Sequence, residues 1–113
     1  MLGYILYFCF KRIEGMTSKF HIIDVLKKNR EELRKFGVSV IGLFGSYQRN
    51  EQTNLSDIDL LIDFEPEKES FDNLMAVCDL LEKLFGNERV EVVTKNGLSP
   101  YLGPRILNEV QYV

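Results

Sequence analysis

Two short apolar runs, at residues 38–44 and 57–64, constrain the fold of this chain more than any other feature. The first run, VSVIGLF, is continuous and rich in β-branched residues, which is typical of a buried strand. The second run, DIDLLIDF, alternates, so one face of its strand is apolar and the other is mostly acidic. The polar residues 45–56 between the two runs predict a loop with room for one helical turn.

Helical patterns and a third strand surround these two runs. Residues 17–37 and 70–86 predict two helices, because each segment begins with a cap residue, keeps apolar residues on one face and ends at a glycine. RVEVVT, at residues 89–94, predicts a third strand, and Ser99-Pro100 indicates the start of a short last helix that is interrupted at Gly103-Pro104. The order predicts a two-layer α/β domain, in which helices flank a small mixed sheet of three strands.

Residues 1–15 precede this domain and need a separate interpretation. Leu2 to Phe10 are almost wholly apolar, but nine residues are too few to span a bilayer, and no cleavage site follows them. An edge strand, an arm that binds a partner or touches a membrane, and translation from a start codon upstream of the native one remain open. Met16 directly precedes a helix cap, so we favour the last interpretation and expect the domain to cover residues 16–113.

Charge and cysteine content exclude several classes of function. A chain of 113 residues forms one small domain, and a net charge of −3 gives no basic footprint for DNA or RNA. The two cysteines, Cys9 and Cys78, lack the spacing of a zinc site and are expected to be reduced thiols. Without a secretory signal, this composition indicates a cytoplasmic protein.

The acidic end of the second strand carries the chemistry predicted for this chain. Asp57 and Asp59 are two residues apart, so both carboxylates leave the same strand face, about 7 Å apart at the backbone. Two such charges repel unless a cation lies between them, and hard oxygen ligands suit Mg²⁺. Glu91, on the polar face of the next strand, is the natural third acid and would permit a two-metal arrangement for phosphoryl chemistry. Gly45-Ser46, at the end of the first strand, would let backbone N–H groups approach a phosphate.

Together these features resemble a known family. FGSYQRNEQTNLSDIDLLIDF, at residues 44–64, is similar to the G-S-x10-D-x-D signature of the minimal nucleotidyltransferases, small members of the DNA polymerase β-like nucleotidyltransferase superfamily. The resemblance runs from about Met16 to the C-terminus and includes RVEVVT and the late segment LSPYLGPRILNEV. It implies the polymerase β-like nucleotidyltransferase fold.

The resemblance also implies roles for individual residues. Gly45 and Ser46 match the pair that binds the triphosphate of ATP. Asp57 and Asp59 match the two Mg²⁺ ligands, and Glu91 matches the third acid, as a metal ligand or as the base that accepts the hydroxyl proton. Asp57, Asp59 and Glu91 are therefore the predicted catalytic and metal-binding set.

Arg49 and Asn50 occupy the slot of the family's A-R-G-E segment. Arg49 is expected to pair with a phosphate of the nucleotide. Asn50 replaces the usual glycine, a change expected to stiffen the loop or alter access, and Glu91 stands where Asp is common. Neither departure removes a ligand, so a competent site is predicted.

Relatives of this size are similar to antitoxins that pair with an all-helical HEPN-domain ribonuclease toxin. This implies Mg²⁺-dependent transfer of AMP from ATP to a tyrosine hydroxyl of the toxin, within a hetero-oligomer and without nucleic acid or membrane contact. Two alternatives stay open. One is an antitoxin that neutralises its toxin by stoichiometric binding alone, and the other is a small-molecule nucleotidyltransferase, disfavoured because no further helical domain is present to hold the acceptor.

Four further polar or aromatic residues are expected to have structural or surface roles rather than catalytic ones. His21 is expected to pack at or near the surface, and Asp63 to be a solvated strand end. For Tyr47 and Tyr101, packing in the core or on the surface is favoured over stacking on a nucleotide base.

Overall fold

The computed structural model describes residues 18–86 and 88–113, so the predictions for residues 1–15 lie outside the described residues. The elements in chain order are helix α1 (Lys19–Lys28), helix α2 (Arg30–Lys35), strand β1 (Val38–Phe44), helix α3 (Gly45–Gln48), strand β2 (Ile58–Phe64), helix α4 (Phe71–Phe85), strand β3 (Val90–Thr94), a 3₁₀ turn (Lys95–Gly97), helix α5 (Gly103–Glu109) and strand β4 (Gln111–Tyr112).

The four strands form one mixed sheet in the order β3-β2-β1-β4. Strand β1 pairs antiparallel with β2 and with β4, whereas β2 and β3 run parallel. The sheet and its helices confirm the predicted two-layer α/β class. The predicted count of three strands is wrong, because β4 adds a fourth strand of only two residues, too short to leave a period-2 pattern.

Helix α1 ends earlier than the periodicity predicts. Ser18 caps it as expected, since its Oγ accepts a hydrogen bond from the His21 N–H at 3.2 Å. Asn29, however, donates from its side-chain amide to the Val25 carbonyl at 2.8 Å and ends the helix there. Asn competes for backbone groups in this way, so the single predicted helix becomes α1 and α2.

The predicted helix start at Ser99-Pro100 is also wrong. The Ser99 carbonyl accepts from the Gly103 N–H at 2.8 Å, and the Ser99 Oγ accepts from the Leu102 N–H at 3.0 Å. These bonds close a turn, and α5 begins only at Gly103. Pro104 then lies in the first helical turn, where its missing N–H costs nothing.

The core lies between the helices and one face of the sheet. On β2 the side chains of Ile58, Leu60 and Ile62 are fully buried against it. Their helical partners, also fully buried, are Ile22, Leu26, Val77 and Leu81. Because side chains alternate along a strand, Asp59, Leu61 and Asp63 lie on the opposite face of the sheet.

No helix among the described residues is long and apolar enough to span a membrane.

Candidate functional site

The turn after β1 lies directly against the acidic strand. Phe44, the last residue of β1, pairs with Asp59 in the antiparallel register of β1 and β2. Gly45 follows with φ of +79°, and a Cβ added there would overlap Oδ2 of Asp59. Only glycine fits this position without displacing the carboxylate. The predicted phosphate-binding turn and the predicted metal ligand are therefore in contact.

The parallel pairing of β2 with β3 brings the remaining acids together. Asp59 is in register with Glu91, and the two carboxyl groups share a hydrogen bond. Two residues earlier along both segments, just before the strands begin, Asp57 faces Arg89, whose Nε donates to Asp57 Oδ1 at 3.0 Å. The three predicted acids thus lie on one strip of the sheet, with an arginine among them.

The surroundings of Asp59 raise its pKa to about 7. Partial burial is the largest cause, followed by the hydrogen bond to Glu91 and the negative charges of Glu91 and Asp57. The positive charge of Arg49 acts in the opposite direction. A carboxyl pair that retains a proton in this way is a place where a cation can take over the role of the proton.

Magnesium fits this donor set in its chemistry. Mg²⁺ usually takes one or two protein carboxylates and completes its shell with water and phosphate oxygens, which the adjoining Asp59 and Glu91 allow. Within residues 18–86 and 88–113, no three His, Cys, Asp or Glu side chains already converge to hold a metal ion. Asp57 Oδ1 is engaged with Arg89, so Arg89 is a cation that competes with a metal ion for this carboxylate.

Arg49 lies at the end of α3, beside the acids but engaged with other carboxylates. Its Nη1 donates to Glu109 Oε2 at 2.7 Å, and its Nε donates to Glu51 Oε1 at 3.0 Å. These two bonds engage Nε and Nη1, so its expected phosphate contact would use the remaining N–H donors of the guanidinium. Arg49 also borders an open cavity of about 560 Å³, lined by Arg49, Tyr101, Pro104, Arg105, Asn108 and Glu109.

Asn50 adopts φ of +58°, the left-handed region in which glycine is at ease. Asn is among the few other residues that tolerate this conformation. Asn50 in place of the family's glycine therefore keeps the backbone conformation of the turn. The loop stiffening that the sequence predicts does not require a different turn geometry.

Tyr47 is a core residue, as favoured from the sequence. Its side chain is only 2% exposed, and its hydroxyl donates to Glu88 Oε2 at 3.2 Å. Burial and the negative charge of Glu88 raise the pKa of Tyr47 to about 12. Tyr47 thus anchors α3 under the site and leaves its ring unavailable to a base, whereas Tyr101 is exposed at the surface.

Sequence reasoning missed two charged residues that touch the site. Arg89 pairs with Asp57, and Glu109 holds Arg49 from α5. The signal for Arg89 was present, because Arg89 precedes Glu91 by two residues as Asp57 precedes Asp59. Reading it required the parallel register of β2 and β3, which spacing alone does not supply.

A family model for the nucleotidyltransferase domain matches residues 23–113 of this chain. A protein adenylyltransferase, MntA, from Thermococcus cleftensis is 42% identical over 100 residues, which cover 88% of this chain and 99% of that relative. A second relative, from Methanocaldococcus jannaschii and named as a protein adenylyltransferase, is 36% identical over 101 residues, 87% of this chain and 100% of its own length.

Solved structures share the fold. A structure described as a minimal nucleotidyltransferase superposes with a TM-score of 0.73 at 27% identity, covering 84% of this chain and 95% of that one. A toxin–antitoxin crystal structure with AMP-PNP superposes with a TM-score of 0.59 at 21% identity, covering 83% of this chain and 70% of that one. At that identity the second likeness concerns the fold alone.

Proposed function

This chain belongs to the nucleotidyltransferase domain family, and on that premise we propose that it is an antitoxin that transfers AMP from ATP to a tyrosine hydroxyl of a partner toxin. The contact between Gly45 and Asp59, with Glu91 in register beside them, is the observation that carries the proposal. It places a close backbone approach next to paired carboxylates, as nucleotide chemistry on a phosphate requires.

The reaction has a simple balance. The tyrosine oxygen attacks the α-phosphorus of ATP, the bond to the bridging oxygen breaks, and pyrophosphate leaves. The hydroxyl proton passes to a carboxylate, for which the exposed Glu91 is best placed. Bound Mg²⁺ would supply charge neutralisation at the phosphates and at the attacking oxygen.

The chain's own groups account for the remaining tasks. Because Gly45 has no side chain, the Gly45-Ser46 turn lies directly against the Asp59 carboxylate, and its backbone N–H groups would bind the phosphates beside the metal. Asp57 and Asp59 would hold the metal, with Glu91 as a third ligand or as the proton acceptor, and Arg49 borders an open cavity of about 560 Å³. The domain is small, so the partner has to bring the acceptor hydroxyl itself.

The partner we propose is an all-helical HEPN-domain ribonuclease toxin, bound in a cytoplasmic hetero-oligomer. Its support is the resemblance in sequence and the 42% identity to an adenylyltransferase named MntA. One chain of a solved MntA–HpeT toxin–antitoxin structure shares the fold of this chain, with a TM-score of 0.56 at 18% identity.

Neither alternative gains support from a specific contact. The first alternative, an antitoxin that acts by stoichiometric binding alone, was supported only by two departures from the family's sequence pattern, Asn50 and Glu91. Asn50 keeps the left-handed turn, and Glu91 reaches Asp59 with a hydrogen bond. Both departures are thus compatible with catalysis.

Isotope placement tests the proposal directly. The purified chain is incubated with Mg²⁺, the helical protein encoded beside it and ATP labelled at the α-phosphate or, in a parallel reaction, at the γ-phosphate. We expect the α-label on the partner and no γ-label, and loss of labelling when the acceptor tyrosine is changed to phenylalanine. Absence of α-label, with toxin activity still suppressed by the chain, would establish the binding-only alternative.

A further inference from the structure

Where β2 and β3 begin, two pairs of facing side chains lie next to each other. One pair carries opposite charges, and the other consists of two acids. The Ile58 N–H donates to the Arg89 carbonyl at 2.8 Å, which fixes the register at the start of both strands. In this register Asp57 faces Arg89 as an ion pair, and Asp59 faces Glu91 as a pair of acids. Opposite charges across a sheet stabilise it, and like charges destabilise it.

The partners of the ion pair differ in their surroundings. The Arg89 side chain is 80% exposed, whereas the Asp57 side chain is 35% exposed at the mouth of the acidic strip. Among the described residues, Arg89 makes no other ion pair. Its guanidinium can therefore swing into solvent with little loss of packing, while Asp57 stays anchored beside β2.

A metal ion and Arg89 place competing demands on Asp57. The negative charges of Asp57, Asp59 and Glu91 repel one another, so a positive charge near Asp57 stabilises them. The Arg89 guanidinium supplies that charge in the absence of metal. A divalent ion held with the help of Asp57 would be a second cation close to Arg89, and the two positive charges would repel each other.

We propose that Arg89 is a built-in counter-cation of Asp57 that competes with a metal ion for this carboxylate, so that Arg89 lowers the metal affinity of the site. This inference rests on the proposed function, because it assumes that Asp57 is a metal ligand. Arg89 acts on the metal through Asp57 and is a positioning residue.

The proposal predicts opposite effects of one substitution on two properties. Arg89→Gln removes the competitor, so metal binding tightens by up to about fivefold, the factor that corresponds to a partly exposed ion pair. The same change leaves the acids unneutralised in the metal-free protein, so its melting temperature falls slightly. A general loss of stability would not tighten metal binding.

The experiment is a titration of the full chain with Mn²⁺, followed by electron paramagnetic resonance of the free ion. Mn²⁺ shares the preference for carboxylate oxygen and gives a signal independent of catalysis. The control is Lys95→Gln, which removes an exposed cation just beyond the other end of β3. We expect Arg89→Gln to lower the dissociation constant and Lys95→Gln to leave it unchanged.

Repeating the Mn²⁺ titration in a protein that lacks the Asp57 carboxylate tests whether Arg89 acts through Asp57. With Asp57→Asn already present, Arg89→Gln should no longer tighten Mn²⁺ binding, because the competing contact is gone. Equal affinity of the wild type and Arg89→Gln, or weaker binding by the variant, overturns the role of Arg89 while leaving the nucleotidyltransferase site intact. Failure of every protein to bind Mn²⁺ overturns the metal part of the proposed function and this inference with it.

Discussion

The two faces of β2 place different demands on the same short strand. Toward the helices, Ile58, Leu60 and Ile62 are fully buried in apolar contact. On the other face, Asp59 meets a glycine turn and a second carboxyl group. Because the two sets alternate residue by residue, stability and chemistry depend on adjacent positions of the same strand and can be altered separately.

The largest expected effect is on the buried face. Leu60→Ala removes a side chain with no exposed surface and should lower the free energy of unfolding by about 2–5 kcal/mol, from lost burial and the cavity left behind. Chemical denaturation measures it. Leu55→Ala is the control, because Leu55 is 86% exposed and its loss should leave the unfolding midpoint unchanged. Similar unfolding midpoints for both variants would contradict the claim that the buried face of β2 determines stability.

The next effect lies on the acidic face. Asp59→Asn should lower the rate of AMP transfer by at least about 100-fold, because the amide cannot supply the charge that the phosphate chemistry needs. The fold should survive, since the amide occupies nearly the same space. Asp63→Asn is matched to it, on the same face of β2 but opposite Val40 rather than near Gly45, and should transfer AMP normally. Equal transfer by wild type and Asp59→Asn would disprove the catalytic assignment.

The contrast between the faces explains how much could be predicted from sequence. The alternation of DIDLLIDF predicts both faces of β2, and VSVIGLF matches the observed bounds of β1, because burial imposes a period that local sequence displays. The break at Asn29 could not be predicted, since the apolar spacing continues across it and one side-chain hydrogen bond decides the outcome.

The residues of the candidate site could be predicted from the sequence, but the contacts between them could not. Asp57, Asp59 and Glu91 carry recognisable chemistry, and the structure brings them to one strip of the sheet. The ion pairs of Arg89 and Arg49 depend on strand register and on how α5 packs against α3, which are tertiary outcomes. The assignment of these residues as ligands stays a prediction.

A third prediction concerns the position where the two faces meet the turn. Gly45→Ala should cost about 1–3 kcal/mol of stability from backbone strain and should also reduce AMP transfer, because the new Cβ displaces the Asp59 carboxylate. Gly86→Ala is the control because Gly86 also has a positive φ, of +57°, but its added Cβ would meet nothing within 4 Å. It should therefore lose stability without losing transfer. Loss of transfer in both variants would attribute the effect at Gly45 to strain alone.

The smallest expected effect tests whether the loop departure matters at all. Asn50 already has φ of +58°, so Asn50→Gly should change the free energy of unfolding by less than about 0.5 kcal/mol and leave AMP transfer intact. Asn50→Ala should cost about 1–2 kcal/mol, because alanine pays the full penalty of the left-handed conformation. Denaturation and the α-label assay on the same preparations measure both. A marked gain in transfer by Asn50→Gly would mean that Asn50 restrains the loop beside Arg49, and the acidic face would then be limited by access rather than by its carboxylates.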